Sequence, residues 1–366
     1  MSEREQTFIV GIFGDNYEQM KLIGQFLGSP DTKTDLQVFE RLDTSSGYVF
    51  SAICPVDYPE KIKAFLQTLI LTDIYILVID LERGLNPGIG EILIGLDLMC
   101  QHYPKTTLIV ISNISSATEW KLPETLSKLN KIIGSTRLKN CPIIEIKSKE
   151  DLPQLKTSVI EWEKNISEGE KNETSKEYSK VMLDHIFPVK GVGTVALGFV
   201  KKGQIEAGQM LEIVGDRPLT KKIVLRNIQK HDRNFKRAFE GDRVGLALKG
   251  VSPKEISREN ILASPGIFTL ETRIHASLQV NQFFKPKNGT IKPGEETQYH
   301  AIVDLKTSPL KIIGGEPISP GSEGEVEFEF ERPLYHDGRG LRGLLVNFNQ
   351  FTKQSRIIGY FEQLTK

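Results

Sequence analysis

The most constraining feature of this sequence is a series of short apolar segments between residues 184 and 251, each closed by Gly, Pro or Asp. In segments such as 195–199, 210–213 and 244–248, apolar residues recur at about every second position. Strands of about 4–8 residues, spaced roughly 8–12 residues apart, are typical of small antiparallel β-barrels. We therefore predict a β-barrel over this part of the chain.

Three stretches of this region carry a family resemblance through their order and spacing. They read DHIFPVKGVGTVALG from residue 184, KKGQIEAGQMLEIVG from residue 201 and NIQKHDRNFKRAFEGDRVGLALKGV from residue 227. The region resembles the second domain of the translational GTPases of the elongation factor Tu class, and most closely the selenocysteine-specific elongation factors of archaea and eukaryotes. The resemblance implies a G domain before this barrel and a second barrel after it.

The bulk composition sets few limits on function. The 47 basic and 47 acidic residues give a net charge of zero, so nothing in the overall charge demands nucleic acid or a membrane. The three cysteines are far apart and form no CxxC pair, which predicts neither a disulfide framework nor a zinc cluster. The polar amino terminus does not read as a signal peptide, and no apolar run is long enough to span a bilayer. We predict a cytoplasmic protein.

The amino-terminal third alternates apolar β-rich runs with helical patterns. Residues 8–13, 106–112 and 141–146 read as buried strands, and helical patterns lie between such strands, for example at 18–27 and 88–100. This alternation is typical of a parallel sheet with helices on both faces. We therefore predict an α/β, P-loop-like fold here, in the place of the G domain that the resemblance implies.

The first nucleotide-binding motif of that fold is broken. In the motif GxxxxGK[ST] the glycines let backbone amides wrap phosphate, the lysine reaches the β- and γ-phosphates and the hydroxyl binds magnesium. Gly14 keeps the first position, whereas Gln19, Met20 and Lys21 stand where Gly, Lys and Ser/Thr are required. Lys21 does not simply substitute for the lysine, because one helical residue rotates the side chain by about 100°.

The later motifs, located through the resemblance, are also altered. Asp57 keeps the aspartate of the magnesium motif, but Glu60 replaces its glycine and Lys61 stands where relatives carry the histidine that orients the attacking water. In the guanine-reading motif Asn113 remains, while Ser116 replaces the aspartate. Charged hydrogen bonds are worth about 1.5–3 kcal/mol each, so these losses together remove about 5 kcal/mol or more of GTP affinity. We predict a degenerate G domain without catalytic residues. We expect no metal site and no cofactor, and GTP with magnesium is disfavoured.

Basic residues concentrate locally between residues 217 and 237 of the predicted barrel. A neutral protein with a local basic surface can still bind RNA phosphates. Arg226, Lys230, Arg237 and Arg243 are our candidate RNA contacts. The alternative is a solvated hairpin face that only balances acidic residues elsewhere.

The resemblance also implies a pocket for the aminoacyl end of tRNA on this barrel. The matching positions are Asp184, His185 and Arg243. The arginine would present a fixed fork of donors to a carbonyl or a selenolate-like group. The alternative is that Asp242 and Arg243 only stabilise a turn.

A second all-β run follows, with clean alternation of apolar and acidic residues at 326–334 and the closing sequence SRIIGYF. It resembles the third domain of the same family, and the sequence stops where the fourth domain of the selenocysteine factor would begin, which argues against full selenocysteine delivery. We predict a multidomain chain with an α/β G domain followed by two antiparallel β-barrels. The expected boundaries are 1–165 for the G domain, 166–180 for a polar linker, and 181–264 and 265–366 for the barrels.

These observations favour a non-catalytic elongation-factor-like protein, a pseudo-GTPase, over an enzyme. Its partner would be a tRNA, the ribosome or another translation factor, and we expect neither DNA nor membrane binding. One alternative is an active GTP-binding elongation factor that delivers a particular aminoacyl-tRNA. A second alternative is a protein-interaction scaffold without an RNA role.

Overall fold

The computed structural model describes residues 6–169, 178–215, 220–349 and 354–364. The chain divides into two compact units. One unit comprises Phe8–Asn172 and Gln350–Arg356, and the other comprises Met1–Thr7, Glu173–Asn349 and Ile357–Lys366. Among the described residues no helix is long and apolar enough to cross a membrane.

The first unit is a seven-stranded sheet with five α-helices. In chain order its elements are β1 (Gln6–Phe13), α1 (Tyr17–Leu27), β2 (Ser29–Lys33), β3 (Leu36–Asp43), β4 (Tyr48–Pro55), α2 (Ile62–Leu71), β5 (Ile74–Asp80), α3 (Pro87–His102), β6 (Thr106–Ser112), α4 (Leu122–Ile133), β7 (Ile143–Glu145) and α5 (Leu152–Gly169). The strand order is β2-β3-β4-β1-β5-β6-β7.

The buried strands explain why this part of the chain forms a parallel sheet. Every residue of β5 and of β6 is buried, as expected for strands covered by helices on both faces. Val10 and Ile12 of β1 pack in one core cluster with residues of α1 and α5, whereas Phe13 contacts Phe65 of α2 on the opposite face. The predicted α/β fold is confirmed.

The sheet differs from the prediction at one edge. Strands β1, β5, β6 and β7 pair in parallel, but β2, β3 and β4 pair antiparallel. Short turns at 34–35 and 44–47 join these three strands, and antiparallel neighbours need only such tight connections. Helix α5 continues to Gly169, beyond the predicted boundary at residue 165. Of the predicted linker, residues 170–177 lie outside the described residues.

The second unit contains two closed antiparallel barrels. The strands of this part of the chain are β8 (Lys180–Val189), β9 (Gly193–Lys202), β10 (Gln204–Glu206), β11 (Met210–Val214), β12 (Thr220–Lys230), β13 (Arg233–Phe235), β14 (Arg237–Phe239), β15 (Arg243–Lys249) and β16 (Ile261–Ala263). Of these, β10 and β14 form a separate two-stranded sheet, and β13 pairs only with β12 among the described residues. The order β11-β16-β8-β9-β15-β12 closes through pairing of β12 with β11. Both predicted barrels are confirmed, this one and the second barrel described next.

The second barrel closes in the order β17-β20-β19-β18-β21-β22. Its strands are β17 (Thr269–Val280), β18 (Tyr299–Val303), β19 (Lys306–Gly315), β20 (Glu323–His336), β21 (Arg342–Val346) and β22 (Ile357–Gln363). Polar contacts tie the two barrels together within their unit. Lys180 Nζ lies 2.8 Å from Asp304 Oδ2, and the fully buried Lys306 donates its ammonium hydrogen to the Gly215 carbonyl.

Candidate functional site

The connection between β1 and α1 is short and is closed by a helix cap. Residues 14–16 join Phe13, the end of β1, to Tyr17, the start of α1. Asn16 is the N-cap residue, and its side-chain oxygen accepts the Glu18 amide at 3.1 Å. A phosphate loop needs enough backbone for several amides to surround the anion. The connection here is three residues long, and one of the three, Asn16, caps α1.

The residues aligned with the phosphate motif lie inside α1 and not in a loop. Met20 is fully buried in the core, and Gln19 is partly exposed. Lys21 Nζ lies 3.4 Å from the exposed Glu18 carboxylate. The helix begins at Tyr17 because Asn16 caps it there. The positions that align with the last part of the phosphate motif are therefore already helical.

A network of amide and carboxylate side chains around one buried aspartate lies where β1, β5 and β6 end. Asp80, the last residue of β5, is 2 % exposed. Its carboxylate accepts Asn16 Nδ2 at 2.6 Å, Asn113 Nδ2 at 2.9 Å and the Glu82 amide at 2.9 Å. The carboxyl ends of parallel strands are where α/β folds bind ligands. Here the chain's own side chains occupy hydrogen-bonding positions at that edge.

A second carboxylate extends this network. Asp15 Oδ2 accepts Asn86 Nδ2 at 2.6 Å, and Arg83 donates to the Asp15 carbonyl. The Arg83 guanidinium also lies 3.9 Å from both the Asp15 and the Asp80 carboxylates. Asp15 Oδ1 and Ser112 Oγ are buried without a hydrogen-bond partner. Sequence reasoning missed Asp15, Asp80 and Asn86, because no nucleotide motif marks them. The signal that could have found Asp15 and Asp80 is their position just after β1 and at the end of β5, and the signal for Asn86 is its place directly before Pro87 at the start of α3.

The other residues aligned with nucleotide motifs are spread over the same unit. Asp57 Oδ2 accepts Lys61 Nζ at 2.7 Å, and this hydrogen bond raises the pKa of Lys61. Glu60 and Ser116 are exposed. Asn113 belongs to the network around Asp80. Its φ is 59°, and its side-chain amide also donates to Glu82 Oε2 at 3.2 Å.

The segment after Asp57 is anchored to α3. The Tyr58 hydroxyl donates to the Gly88 carbonyl at 2.7 Å and to Glu91 Oε2 at 3.1 Å. Glu91 also accepts the Arg356 guanidinium at 2.6 Å within the same compact unit. Burial, followed by the neighbouring Glu91 carboxylate, raises the pKa of Tyr58 well above its usual value. The hydroxyl therefore acts as a hydrogen-bond donor.

In the first barrel, the structure brings together two of the three residues aligned with the aminoacyl pocket. Arg243 Nε and Nη2 lie 3.2 and 3.0 Å from Asp184 Oδ2, and both side chains are buried. Asp184 sits at a bulge in the pairing of β8 with β9, and its Oδ1 has no hydrogen-bond partner. His185 is partly exposed, and its ring centroid lies 5.3 Å from that of Phe187.

The candidate RNA contacts divide by burial. Lys230 is 3 % exposed and its ammonium lies 3.2 Å from the buried Asp242 carboxylate, so it does not present its charge at the surface. Arg226 and Arg237 are exposed, although Arg237 lies 3.3 Å from Glu206. Sequence spacing did not reveal this difference, because a bulge between Leu225 and Asn227 shifts the alternation along β12.

Further exposed basic side chains lie near Arg226. Arg233 and Lys236 are exposed at and just after the hairpin that joins β12 to β13. The turn residues His231 and Asp232 have φ of 47° and 59°, as a tight two-residue hairpin turn requires. Arg217 lies outside the described residues. Within the described parts of the chain, no cluster of three or more His, Cys, Asp or Glu side chains could hold a metal ion.

Comparisons with known proteins agree with this architecture. Residues 193–262 match the family model for elongation factor Tu domain 2. A selenocysteine-specific elongation factor of Methanocaldococcus jannaschii is 30% identical over 275 residues, covering 74% of this chain and 55% of that protein. An uncharacterized protein of the same organism is 28% identical over 298 residues, covering 81% of this chain and 83% of that protein.

Solved structures give the same relationship over the whole chain. The apo form of translation elongation factor SelB from Methanococcus maripaludis superposes with a TM-score of 0.80 at 25% identity, covering 99% of this chain and 80% of that one. The structure of the same factor with the GTP analogue GPPNHP has a TM-score of 0.79 at 24% identity, with the same coverage. The chain thus spans about half the length of the curated selenocysteine-specific relative and most of the uncharacterized one.

Proposed function

Because the chain belongs to the translational GTPase family, close to the selenocysteine-specific elongation factors, we propose that it is a pseudo-GTPase of that family. In this proposal the α/β unit neither hydrolyses GTP nor depends on it, and the first barrel binds RNA of the translation apparatus, such as a tRNA acceptor end or ribosomal RNA. A cytoplasmic location is part of the same proposal.

The short connection at residues 14–16 carries the first half of the proposal. The Asn16 side chain already accepts the Glu18 amide, one of the free amides at the start of α1, which is a donor that a bound phosphate would otherwise use. A GTP-binding version of this loop would need inserted residues, and no rotamer change supplies them. The altered sequence motifs and the altered backbone therefore support the same conclusion.

Charge at the carboxyl edge of the sheet supports it independently. Asp15, Asp80 and Glu82 bring three carboxylates to this edge, and Arg83 lies close to two of them. Like charges at short distance are repulsive, and the repulsion is stronger in a partly buried site than in water. A triphosphate would meet repulsion where a working site supplies a lysine and magnesium.

The first experiment is a titration of the full chain with a fluorescent GTP analogue in the presence of magnesium, with GDP and ATP alongside. We expect no saturable binding up to about 1 mM nucleotide, which bounds the binding free energy at about −4 kcal/mol. Translation elongation factor SelB from Methanococcus maripaludis, solved with GPPNHP, serves as the positive control.

A micromolar dissociation constant would overturn this half of the proposal and favour the active elongation factor. The variant Asp80→Asn then locates the site. If its neutral amide tightens nucleotide binding, the carboxyl edge of the sheet is the binding place. An Asp232→Asn variant, at an exposed hairpin turn of the first barrel, is the control with the same change of charge.

The exposed basic residues of the first barrel support the RNA half of the proposal. Arg226, Arg233 and Lys236 lie in one stretch of β12, β13 and the segment after it, and each is exposed. We leave Lys230 and Arg243 out of the contact set because both are buried in ion pairs. Arginine and lysine side chains at a surface bind phosphates through charge that does not depend on base sequence.

The test is a salt titration of tRNA binding by wild type and by the triple variant Arg226→Ala, Arg233→Ala and Lys236→Ala. Each lost phosphate contact lowers the slope of log affinity against log salt by about 0.7–0.9, so we expect a reduction of up to about 2–3. The control is Lys285→Ala, Lys287→Ala and Lys292→Ala, which removes the same charge from exposed positions of the second barrel. Equal slopes for wild type and both variants would contradict RNA binding through this surface and favour the protein scaffold.

A further inference from the structure

The first turn of α3 contacts two segments that are far apart in the sequence. One is segment 56–61 between β4 and α2, which aligns with the magnesium motif. The other is segment 354–356, which precedes β22 in the chain but belongs to the α/β unit. The side chains that meet there are Tyr58, Glu91 and Arg356, which are 5%, 5% and 4% exposed. The proposed function gives these three buried polar side chains no role.

Glu91 is the centre of these contacts, because both of its carboxylate oxygens accept hydrogen bonds from Arg356. Oε1 accepts the Arg356 backbone amide at 2.6 Å and Nε at 3.2 Å, and Oε2 accepts Nη2 at 2.6 Å. Charge-assisted, forked bonds of this kind are stronger than neutral ones and fix the orientation of both groups. Separating the two side chains would leave buried charges without compensation, so segment 354–356 stays on α3 while the pair is intact.

The Tyr58 hydroxyl joins segment 56–61 to the same carboxylate. It lies 3.1 Å from Glu91 Oε2 and 2.7 Å from the carbonyl oxygen of Gly88, one turn earlier on α3. The Tyr58 ring packs against Phe65 of α2 with 5.0 Å between centroids, and the guanidinium carbon of Arg356 lies 5.9 Å from the Tyr58 ring centroid. One tyrosine therefore contacts both members of the ion pair that holds segment 354–356.

The same helical turn is also bonded to the connection between β1 and α1. Asn86 Oδ1 accepts the Gly88 amide at 2.9 Å, and Asn86 Nδ2 donates to Asp15 Oδ2 at 2.6 Å. Hydrogen bonds thus run from Tyr58 through Gly88 and Asn86 to Asp15. Segment 56–61, segment 354–356 and the connection at residues 14–16 are all bonded to one turn of α3 by groups of the chain itself.

We propose that the first turn of α3 is a latch, centred on Glu91, which holds segments 56–61 and 354–356 in one arrangement and releases them together. Tyr58 and Arg356 share the Glu91 carboxylate, so loss of one contact weakens the other. The latch rests on the proposed function only in that segments held by the chain's own groups need no nucleotide to order them. Its test reads backbone protection without nucleotide, so the latch can fail while the proposed function stands.

The test is amide hydrogen exchange of the full-length chain, followed by mass spectrometry of peptides that cover the two segments. Tyr58→Phe removes one hydroxyl, and we expect exchange to become about tenfold faster in both segments. Glu91→Gln leaves the Arg356 guanidinium buried without its charge partner, and we expect both segments to exchange at least about a hundredfold faster. Glu124→Gln makes the same change of charge at an exposed position of α4 and should leave both segments at the wild-type rate.

Tyr58→Phe is decisive, because the tyrosine hydroxyl bonds to Glu91 and not to the backbone of segment 354–356. Faster exchange in segment 56–61 alone would show that the two contacts are independent, and unchanged exchange in both segments would equally overturn the latch. Peptides from β5 should keep their wild-type protection. If β5 also exchanges faster, the variant opens the whole unit, which contradicts a local latch. Should Glu91→Gln not fold, as judged by far-UV circular dichroism, Tyr58→Phe carries the test alone.

Discussion

At the scale of single residues, burial separates charged side chains that look alike in the sequence. Lys230 and Arg243 each lie in a buried ion pair, with Asp242 and with Asp184. Arg237 forms an ion pair too, with Glu206, but both side chains of that pair are about half exposed, at 48% and 51%. An exposed pair is screened by water and contributes about 0–1 kcal/mol to stability. Removing one partner of a buried pair leaves the other charge buried, with neither a partner nor water to compensate it.

This difference gives a prediction for stability. Arg243→Ala removes one partner of a buried pair and leaves the Asp184 carboxylate uncompensated, so we expect a loss of about 3–5 kcal/mol. Arg237→Ala is the matched control, and we expect a loss of no more than about 1 kcal/mol. Calorimetric unfolding measures both variants.

The same measurement bears on the aminoacyl pocket suggested by the family resemblance. If Arg243→Ala leaves stability unchanged but weakens binding of aminoacylated tRNA, Arg243 acts as a ligand-binding residue and not as a structural one.

At the scale of secondary-structure elements, α1 is fitted closely to the strand beneath it. A Cβ atom at Gly24 would lie 2.5 Å from two ring carbons of the buried Phe39 on β3. Glycine is ordinarily unfavourable inside a helix by about 1 kcal/mol relative to alanine. At this position the missing side chain allows the helix and strand to approach, so packing outweighs helix propensity.

We therefore expect opposite effects from the same substitution in two helices. Gly24→Ala should destabilise the α/β unit by about 1–2 kcal/mol, since the overpacking cost exceeds the gain in helix propensity. Gly90→Ala in α3 should stabilise it by about 0.5–1 kcal/mol, because a Cβ there meets no atom within 4 Å. Urea unfolding followed by the helical circular dichroism signal reports this unit. Stabilisation by Gly24→Ala would contradict the close fit of α1 on β3.

At the scale of the whole molecule, the two barrels belong to one compact unit, joined by polar contacts inside it. Lys306 is the most buried of these groups, and its ammonium donates a hydrogen bond to the Gly215 carbonyl of the other barrel. A fully buried lysine is tolerated because its charge is hydrogen-bonded. Because of this contact, we expect the stability of each barrel to depend on the other.

We expect the two barrels to unfold in a single calorimetric transition. Lys306→Ala leaves a cavity and an unpaired carbonyl, and should lower the stability of that transition by about 2–4 kcal/mol. Lys311→Ala, at an exposed position of the same strand β19, should change it by less than about 0.5 kcal/mol. Separate transitions for the two barrels would show that the contact does not couple them.

The sequence alone determined the alternation of strands and helices in the first unit and the existence of both barrels. These features depend on local periodicity, and every residue of β5 and of β6 is buried as its apolar run predicts. The altered phosphate motif was also apparent from the sequence, because Gln19 and Met20 stand at positions where the motif requires Gly and Lys.

Only the tertiary structure decided where α1 begins and which charges are buried. Asn16 bonds to Asp80 across 64 positions of sequence, and Asp184 bonds to Arg243 across 59. Periodicity reports which face of an element is apolar, but it carries no information about which distant polar group will meet a given side chain. Since burial of a charge is stable only when such a partner is present, the buried pairs and the carboxyl-edge network emerge only after the chain has folded.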